Sequence, residues 1–354
     1  MSVAYRAVQW NAHKKVYDLV LAGGVLLFLV AFVGVSMAVS PPPGEIAVPV
    51  LVMRALGVCA IVLLHVILAI GPLHRLDARF APLLYNRRHL GVTMFLLALL
   101  HALIAIGFYG GFGVQNPLVA VLAGYASQTL TGLPFEVFGF AALVILFLMA
   151  STSHDFWTKH LTPAWWKLLH TLVYVAYVLL IAHVVFGALQ SEASLVFPAL
   201  LGVGTLVLGG LHIAAGVRET TRLRPSPVVD GWVEVGPARD IPEGRARVIA
   251  LPDGERVAVY RVGERVHALT NVCPHQGGPL GEGAIVDGCV TCPWHGYQFS
   301  PEDGTSPPPY DEKIPTYDLR TENGVVYVKA QANEPGTPTQ GVTIERTVSK
   351  GGDA

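Results

Sequence analysis

The chain has 354 residues, of which 52% are hydrophobic and only 14% are charged. Its mean hydropathy of +0.50 is typical of a protein dominated by membrane-spanning segments, which excludes an ordinary soluble domain as its main part. The formal net charge of −1 predicts no nucleic acid partner, and four cysteines exclude a disulfide framework. The cysteine usage fits a reducing compartment for the C-terminal part of the chain.

Six apolar segments follow one another along the first two thirds of the chain, and each can cross about 30 Å of hydrocarbon as a helix. They are residues 16–39, 48–70, 90–109, 135–150, 165–188 and 194–217. The first one can also be interpreted as a signal peptide with a cleavage site at Ala38-Val39-Ser40. Its apolar run is too long for that, and Pro41 would obstruct cleavage. The sequence therefore predicts an all-α bundle of six membrane helices.

Lysine and arginine residues mark one side of this bundle. They are Arg6, Lys14, Lys15, Arg75, Arg79, Arg87, Arg88, Lys159, Lys167, Arg218, Arg222 and Arg224. The loops on the other side contain Glu45 and Glu192 but no lysine or arginine. By the positive-inside rule, we expect a multi-pass protein of a bacterial-type inner (plasma) membrane, with both termini in the cytoplasm.

Two histidines lie deep inside predicted helices, where an ionisable side chain is costly and marks a candidate functional site. His101 lies about 18 Å along the third helix and His183 about 25 Å along the fifth, counted from their cytoplasmic starts. Both helices run outward, so the two imidazoles reach similar depths. A haem b with two histidine ligands requires this arrangement of neutral imidazoles on neighbouring helices.

His170 lies only about 5 Å inside the fifth helix and can serve a second, inner haem. Its partner is not evident, because the thirteen residues to His183 turn the helix by roughly 220° and place the two on different faces. The alternative for every membrane histidine is an interhelical hydrogen bond without a cofactor. We interpret His65 and His212 in that structural way.

These residues give the first 217 positions a resemblance to the ferric reductase-like transmembrane domain, the haem-bearing unit of ferric reductases and NADPH oxidases. The resemblance is carried by Arg87-Arg88-His89-Leu90-Gly91, by His101, and by Trp166-Lys-Leu-Leu-His170 with His183. It implies that His101 and His183 are axial haem ligands, that His170 is a ligand in members with two haems, and that Arg87 or Arg88 lies near haem propionates. The two arginines are equally well explained as positive-inside anchors.

The larger members of that family append a flavin and NADPH module. No Gly-x-Gly-x-x-Gly motif that follows a strand occurs in this sequence, and Gly202-Val-Gly204 lies within a predicted membrane helix. A polar linker at residues 218–230 instead leads into residues 231–330, where alternating segments at 247–251, 256–261, 266–270 and 325–329 predict a small all-β domain. Residues 331–354 have the composition of a disordered tail.

A metal-binding motif lies within this β domain. Cys273-Pro274-His275 and Cys292-Pro293-Trp294-His295 each supply one thiolate and one imidazole, the ligand set of a Rieske [2Fe–2S] cluster. Two Cys and two His also satisfy a tetrahedral zinc ion, and Cys289 adds a second Cys-x-x-Cys pair with Cys292. The order Cys-His then Cys-His, in loops rich in Gly and Pro, favours the cluster.

The sequence around the motif closely resembles that of Rieske ferredoxins and their relatives in dioxygenase and nitrite reductase systems. By that resemblance, Cys273 and Cys292 ligate the inner iron, and His275 and His295 ligate the exposed one. Gly278 and Trp294 stand where quinol-oxidising Rieske proteins carry a disulfide, which points to the ferredoxin type. The run Pro307-Pro308-Pro309 matches the loop that covers the cluster in the family.

The sequence therefore predicts a transmembrane oxidoreductase. We expect a soluble cytoplasmic reductase or ferredoxin as donor, the Rieske cluster and then haem b as carriers, and an acceptor at the outer face, such as a ferric or other metal ion, a quinone or a periplasmic protein. The alternatives are a redox sensor or electron-storing subunit without net turnover, and a reversed flow that starts from quinol.

Overall fold

A computed structural model describes residues 12–39, 47–84, 87–109, 114, 116, 119, 134–153, 163–191, 195–222, 225, 227–275, 277–294, 296–308 and 310–344. The chain divides into two compact units at residues 216 and 217. The first unit is helical and the second is built mainly from β-strands.

The helical unit contains long apolar helices with few interruptions. Their bounds are α1 Ala12–Val39, α2 Val48–Leu76, α3 Ala81–Leu84, α4 Arg87–Tyr109, α5 Glu136–Thr152, α6 Pro163–Thr171, α7 Val173–Phe186 and α8 Val196–Arg222. Among the described residues, five spans are long and apolar enough to cross a membrane, α6 and α7 forming one of them, and α5 is a shorter apolar helix. The prediction of a six-helix all-α membrane bundle is confirmed.

The bundle is held together chiefly by the pairs α2 with α4 and α5 with α7. Leu56 and Leu64 of α2 are buried with Phe95 of α4, and Leu146 of α5 with Ala176 of α7. Other apolar side chains point outward, as a lipid-facing surface requires. The helix α8 runs through residues 218–222 of the predicted linker, because no proline interrupts its hydrogen bonds before Pro225.

Antiparallel strands build the second unit. They are β1 Val228–Val229, β2 Trp232–Pro237, β3 Ala246–Ala250, β4 Arg256–Val262, β5 Arg265–Thr270, β6 Ala284–Val286, β7 Cys289–Thr291, β8 Gln298–Phe299, β9 Thr316–Tyr317, β10 Leu319–Glu322, β11 Val325–Lys329 and β12 Val342–Thr343. One sheet has the order β1-β2-β11-β10, a second β12-β5-β4-β3 with β9 also on β5, and a third β6-β7-β8. The predicted small all-β domain is confirmed.

The segment after Ala330 is not a disordered tail as far as residue 344. Strand β12 pairs with β5, and Val342 and Ile344 pack against the core of the β unit. Backbone hydrogen bonds from Asn333 to Thr316 and from Thr339 to Glu302 fix the stretch before it. The polar composition of this segment concealed its order, because a few apolar contacts and backbone bonds to the existing sheet suffice to hold it.

Candidate functional site

Two loops of the β unit present the predicted cluster ligands. The first follows β5 and the second joins β7 to β8. The amide of Cys273 donates to the carbonyl of Gly278 at 2.9 Å, and the amide of Cys292 donates to the carbonyl of Tyr297 at 2.7 Å. The amide of each cysteine thus donates a hydrogen bond to the carbonyl five positions later, so the two loops share one backbone geometry.

A glycine closes each loop in the same way. Gly277 donates to the carbonyl of Cys273 at 2.8 Å, and Gly296 donates to that of Cys292 at 2.9 Å. The φ angles of these glycines are +72° and +75°, in the left-handed region that a side chain disfavours. The backbone conformation of the turn therefore requires a glycine four residues after each cysteine.

The two loops bring the thiols into one buried place. Cys273 and Cys292 are each 1% exposed and neither forms a disulfide. A Cβ atom added at Gly278 would lie 2.8 Å from Sγ of Cys292 and 3.3 Å from the ring of Trp294. The backbone of the first loop thus lies directly against the second cysteine, and this cradle of buried sulfur and bare backbone fits a [2Fe–2S] cluster.

The imidazole of His275 lies over an aromatic platform. Its ring stacks on Tyr297 with centroids 4.3 Å apart and an interplanar angle of 17°, and Tyr297 in turn lies 4.8 Å from Tyr310. Tyr310 follows the proline run, of which Pro309 lies outside the described residues, as does the predicted ligand His295. The stack orients one imidazole beside the two cysteines.

Two residues that the sequence did not single out support the first loop. Tyr260 of β4 is fully buried, and its hydroxyl donates to the carbonyl of Leu280. Asn271 accepts a hydrogen bond from the amide of Gly281 through Oδ1 at 2.6 Å. Both tie the loop to the sheet, and their role was not visible because it depends on contacts between distant strands.

In the helical unit, the structure brings together the two histidines predicted as haem ligands. The ring of His101 on α4 and that of His183 on α7 have centroids 6.2 Å apart. Nδ1 of His101 lies 2.8 Å from the carbonyl of Met53, and Nδ1 of His183 lies 3.0 Å from that of Phe135. A carbonyl only accepts, so each Nδ1 carries the proton and each Nε2 keeps a lone pair for a metal.

The distance of 6.2 Å between the two ring centroids matches that of two imidazoles bound to one metal ion. Two metal–nitrogen bonds of about 2.0 Å each, with each nitrogen about 1 Å from its ring centroid, separate two imidazole centroids by roughly 6 Å. Fixing the second ring nitrogen on a carbonyl is also how proteins orient histidine ligands. His101 and His183 therefore have the separation and the orientation of residues that would hold a haem b.

The other membrane histidines have different neighbours. Nε2 of His170 lies 3.3 Å from Oγ of Ser153, its Nδ1 lies 3.0 Å from the carbonyl of Trp166, and its ring stacks on that indole at 3.7 Å. Among the described residues, no second imidazole pairs with His170. Its role as a ligand stays a prediction, as does a propionate contact of Arg87 and Arg88, which begin α4.

Both ring nitrogens of His65, and both of His212, form hydrogen bonds. Those of His65 meet the carbonyl of Ile61 at 2.8 Å and the hydroxyl of Tyr177 at 2.9 Å. Those of His212 meet the carbonyl of Leu208 at 3.0 Å and the hydroxyl of Tyr174 at 3.2 Å. The bonds to Ile61 and Leu208 lie within one helix, whereas those to the tyrosine hydroxyls join two helices, which agrees with the structural interpretation of the two residues.

Comparisons with known proteins define the class of both units. Residues 231–318 match the model of the Rieske [2Fe-2S] domain, and residues 56–181 match that of the ferric reductase like transmembrane component. The chain thus joins a ferric reductase-like membrane domain to a C-terminal Rieske domain. Its long apolar helices are those of a multi-pass membrane protein, and its β unit is built for a [2Fe–2S] cluster.

Individual relatives resemble the Rieske part. A cholesterol 7-desaturase nvd of Xenopus laevis is 37% identical over 108 residues, which cover 28% of this chain and 24% of the relative. The ferredoxin CarAc of Metapseudomonas resinovorans is 29% identical over 101 residues, 28% of this chain and 94% of the ferredoxin. A solved complex of oxygenase and ferredoxin in carbazole 1,9a-dioxygenase contains a chain with 27% identity and a TM-score of 0.28, covering 30% of this chain and 98% of that one. The chain spans about a quarter or less of the curated relatives matched first.

Proposed function

We propose that this protein carries electrons from a soluble cytoplasmic reductase or ferredoxin, through its Rieske [2Fe–2S] cluster and then haem b, to an acceptor at the outer face of the membrane. The observation that carries the proposal is the pair His101 and His183, whose rings lie 6.2 Å apart with both Nδ1 atoms committed to backbone carbonyls. The cysteine loops on the same chain supply the second redox centre.

Each centre, when bound, takes up and releases one electron. In this proposal, Cys273, His275, Cys292 and His295 hold the cluster, and His101 and His183 hold the haem. The carbonyls of Met53 and Phe135 keep the two imidazoles neutral at Nε2 and correctly oriented. Arg87 or Arg88 would neutralise haem propionates, and His170 would serve a second haem. No proton transfer is required of any of these residues.

The direction of flow rests on the charge of the loops and on the kind of Rieske domain. Basic residues on one side of the helices place the β domain in the cytoplasm by the positive-inside rule. Gly278 and Trp294 replace the cysteines of a disulfide, and the similarity to the ferredoxin CarAc covers nearly the whole of that ferredoxin. Both features suit a domain that accepts electrons from a soluble donor.

The acceptor is a ferric or other metal ion, a quinone or a periplasmic protein. The outer loops contain no lysine or arginine to attract an anionic ferric chelate, which favours a neutral or cationic acceptor. Glu45 and Glu192 lie outside the described residues, and Glu136 at the start of α5 is the carboxylate of this side that the structure describes.

A visible spectrum of the purified protein in detergent tests the proposal. We expect the α and Soret bands of a low-spin haem b after dithionite reduction, and bleaching of the broad Rieske absorption. Variants His101→Ala and His183→Ala should each lose most of the low-spin haem, whereas His65→Ala, whose ring nitrogens are bonded elsewhere, should keep it. Full low-spin haem in the first two variants would refute the ligand assignment.

Turnover is tested separately from haem content. Haem reduced through the cluster by a ferredoxin and its reductase should be reoxidised by an acceptor added to the outer side of oriented vesicles. A haem that is reduced but never reoxidised from that side would instead support a sensor or electron-storing role.

A further inference from the structure

Two glycines in the helical unit occupy equivalent positions beside the two predicted haem ligands. We infer that Gly57 and Gly139 are positioning residues that hold the imidazoles of His101 and His183 with their planes perpendicular, so that the haem is of the highly anisotropic low-spin type. The inference rests on the proposed function, and it adds to it the residues and the geometry that determine the electronic structure of the haem.

The first of these glycines, Gly57, lies on α2. Nδ1 of His101 donates to the carbonyl of Met53, and Gly57 is the residue four positions later on the same helix. In an α-helix, that carbonyl normally also accepts the amide of residue 57, so the imidazole must approach the carbonyl across this residue. A Cβ atom at Gly57 would lie 3.0 Å from Nδ1 and 3.1 Å from Cε1 of His101. Any larger residue would press on the ring.

The second glycine, Gly139 on α5, has the same relation to His183. Nδ1 of His183 donates to the carbonyl of Phe135, and Gly139 again lies four positions later. The amide of Gly139 reaches the same carbonyl at only 3.5 Å, so the carbonyl is shared with the imidazole. A Cβ atom at Gly139 would lie 2.7 Å from Nδ1 and 2.9 Å from Cε1 of His183. This contact is tighter than the one at Gly57.

Together, the two glycines and the two carbonyls set the relative rotation of the imidazole rings. Each imidazole is fixed by a hydrogen bond at Nδ1 and by a bare helix backbone against its edge, and the resulting interplanar angle is 88°. Perpendicular imidazoles donate π density to two different d orbitals of a low-spin ferric ion, which stay nearly equal in energy. Such an ion keeps a large orbital moment, and its electron paramagnetic resonance (EPR) signal is dominated by a single low-field feature.

The EPR spectrum of the air-oxidised, full-length protein tests the geometry directly. We expect the highly anisotropic signal with its single low-field feature. A rhombic signal with three resolved g values would show parallel planes and overturn the inference while leaving the two-histidine haem intact. Absence of any low-spin haem would instead refute the proposed function, so the two failures are distinguishable.

Alanine variants test the glycines. Gly57→Ala should convert the signal wholly or partly to the rhombic form, and Gly139→Ala should remove at least half of the bound haem or change the signal in the same way. Gly107→Ala is the matched control, because this glycine lies on the His101 helix and a Cβ atom there meets nothing within 4 Å. A monodisperse elution profile in detergent reports whether the helical unit of each variant folds, and the Rieske signal of the reduced sample reports the same for the β unit. An unchanged signal and full haem content in both Gly57→Ala and Gly139→Ala would overturn the assignment of these glycines.

Discussion

Cys289 and Cys292 lie close together on one hairpin, yet the fold gives them different environments. Cys289 is in strand β7 and half-buried, whereas Cys292 begins the second ligand loop and is 1% exposed. Burial, together with the carboxylates of Asp287 and Asp303, raises the pKa of the Cys289 thiol. Cys289 thus lies within the strand, whereas Cys292 lies in the loop that faces the first ligand loop at Gly278.

Serine variants of these two cysteines should therefore differ. We expect Cys292→Ser to abolish the Rieske EPR signal of the reduced protein and its labile sulfide, because the inner iron loses one of its two thiolates. Cys289→Ser should retain both at the level of the wild type. If both variants lose the cluster, or if metal analysis finds zinc, then Cys289 is a ligand and the Rieske assignment of residues is wrong.

At the scale of the element, strand β5 is where the C-terminal segment meets the β unit. His267 of this strand is 3% exposed, and a Cβ atom at Gly341 would lie 2.7 Å from its Cε1. Burial lowers the pKa of His267; the Glu302 carboxylate opposes this and the Arg265 guanidinium adds to it. The imidazole therefore binds a proton less readily in the folded domain than in the unfolded chain, and it lies under a segment whose strand β12 pairs with β5.

A buried histidine with a lowered pKa makes stability depend on pH. As the pH falls through the ordinary pKa of histidine, about 6.5, the unfolded chain binds a proton more readily than the folded domain, so stability falls. We expect the thermal midpoint for loss of the Rieske absorption to decrease between pH 7 and pH 5.5. His267→Gln, which cannot be protonated, should flatten this decrease, and an equal slope in variant and wild type would contradict the assignment.

The two predicted haem ligands lie in separate pairs of helices. His101 on α4 bonds to Met53 on α2, and His183 on α7 bonds to Phe135 immediately before α5. The same pairs, α2 with α4 and α5 with α7, form the main packing of the helical unit. Each ligand is thus oriented by the helix against which its own helix packs most closely.

For the whole molecule, the strongest expectation concerns orientation. By the positive-inside rule, we expect the basic residues that flank the helices to place both termini and the Rieske domain on the cytoplasmic side. The outer loops contain no lysine or arginine, and Arg54 lies within α2, six residues after the start of that helix. A multi-pass chain with such a bias has one preferred topology.

Protease accessibility checks this topology in the full-length protein with a C-terminal epitope. The epitope should be cleaved in inverted membrane vesicles and protected in intact spheroplasts, with soluble markers of each compartment as controls. Cleavage in spheroplasts would place the Rieske domain outside and would reverse the proposed direction of electron flow.

Much of this architecture could be predicted from the sequence because its determinants are local. The apolar spans depend only on composition over about twenty residues, and the cluster loops depend on Cys and His at short spacings with glycine turns. His101 and His183 could be paired because depth along a helix follows from residue count. The tail beyond Ala330 was misjudged, since its order comes from pairing with a strand more than seventy residues earlier.

The sequence by itself thus determined a six-helix membrane unit, a Rieske fold and the segments predicted to carry the ligands. Only the tertiary structure decided which groups the histidine ring nitrogens bond to, and it alone showed that Gly57 and Gly139 lie against the imidazoles of His101 and His183. The physical reason is that helices apolar on every face carry no periodicity to indicate their rotation. That rotation is set by packing between residues nearly fifty positions apart.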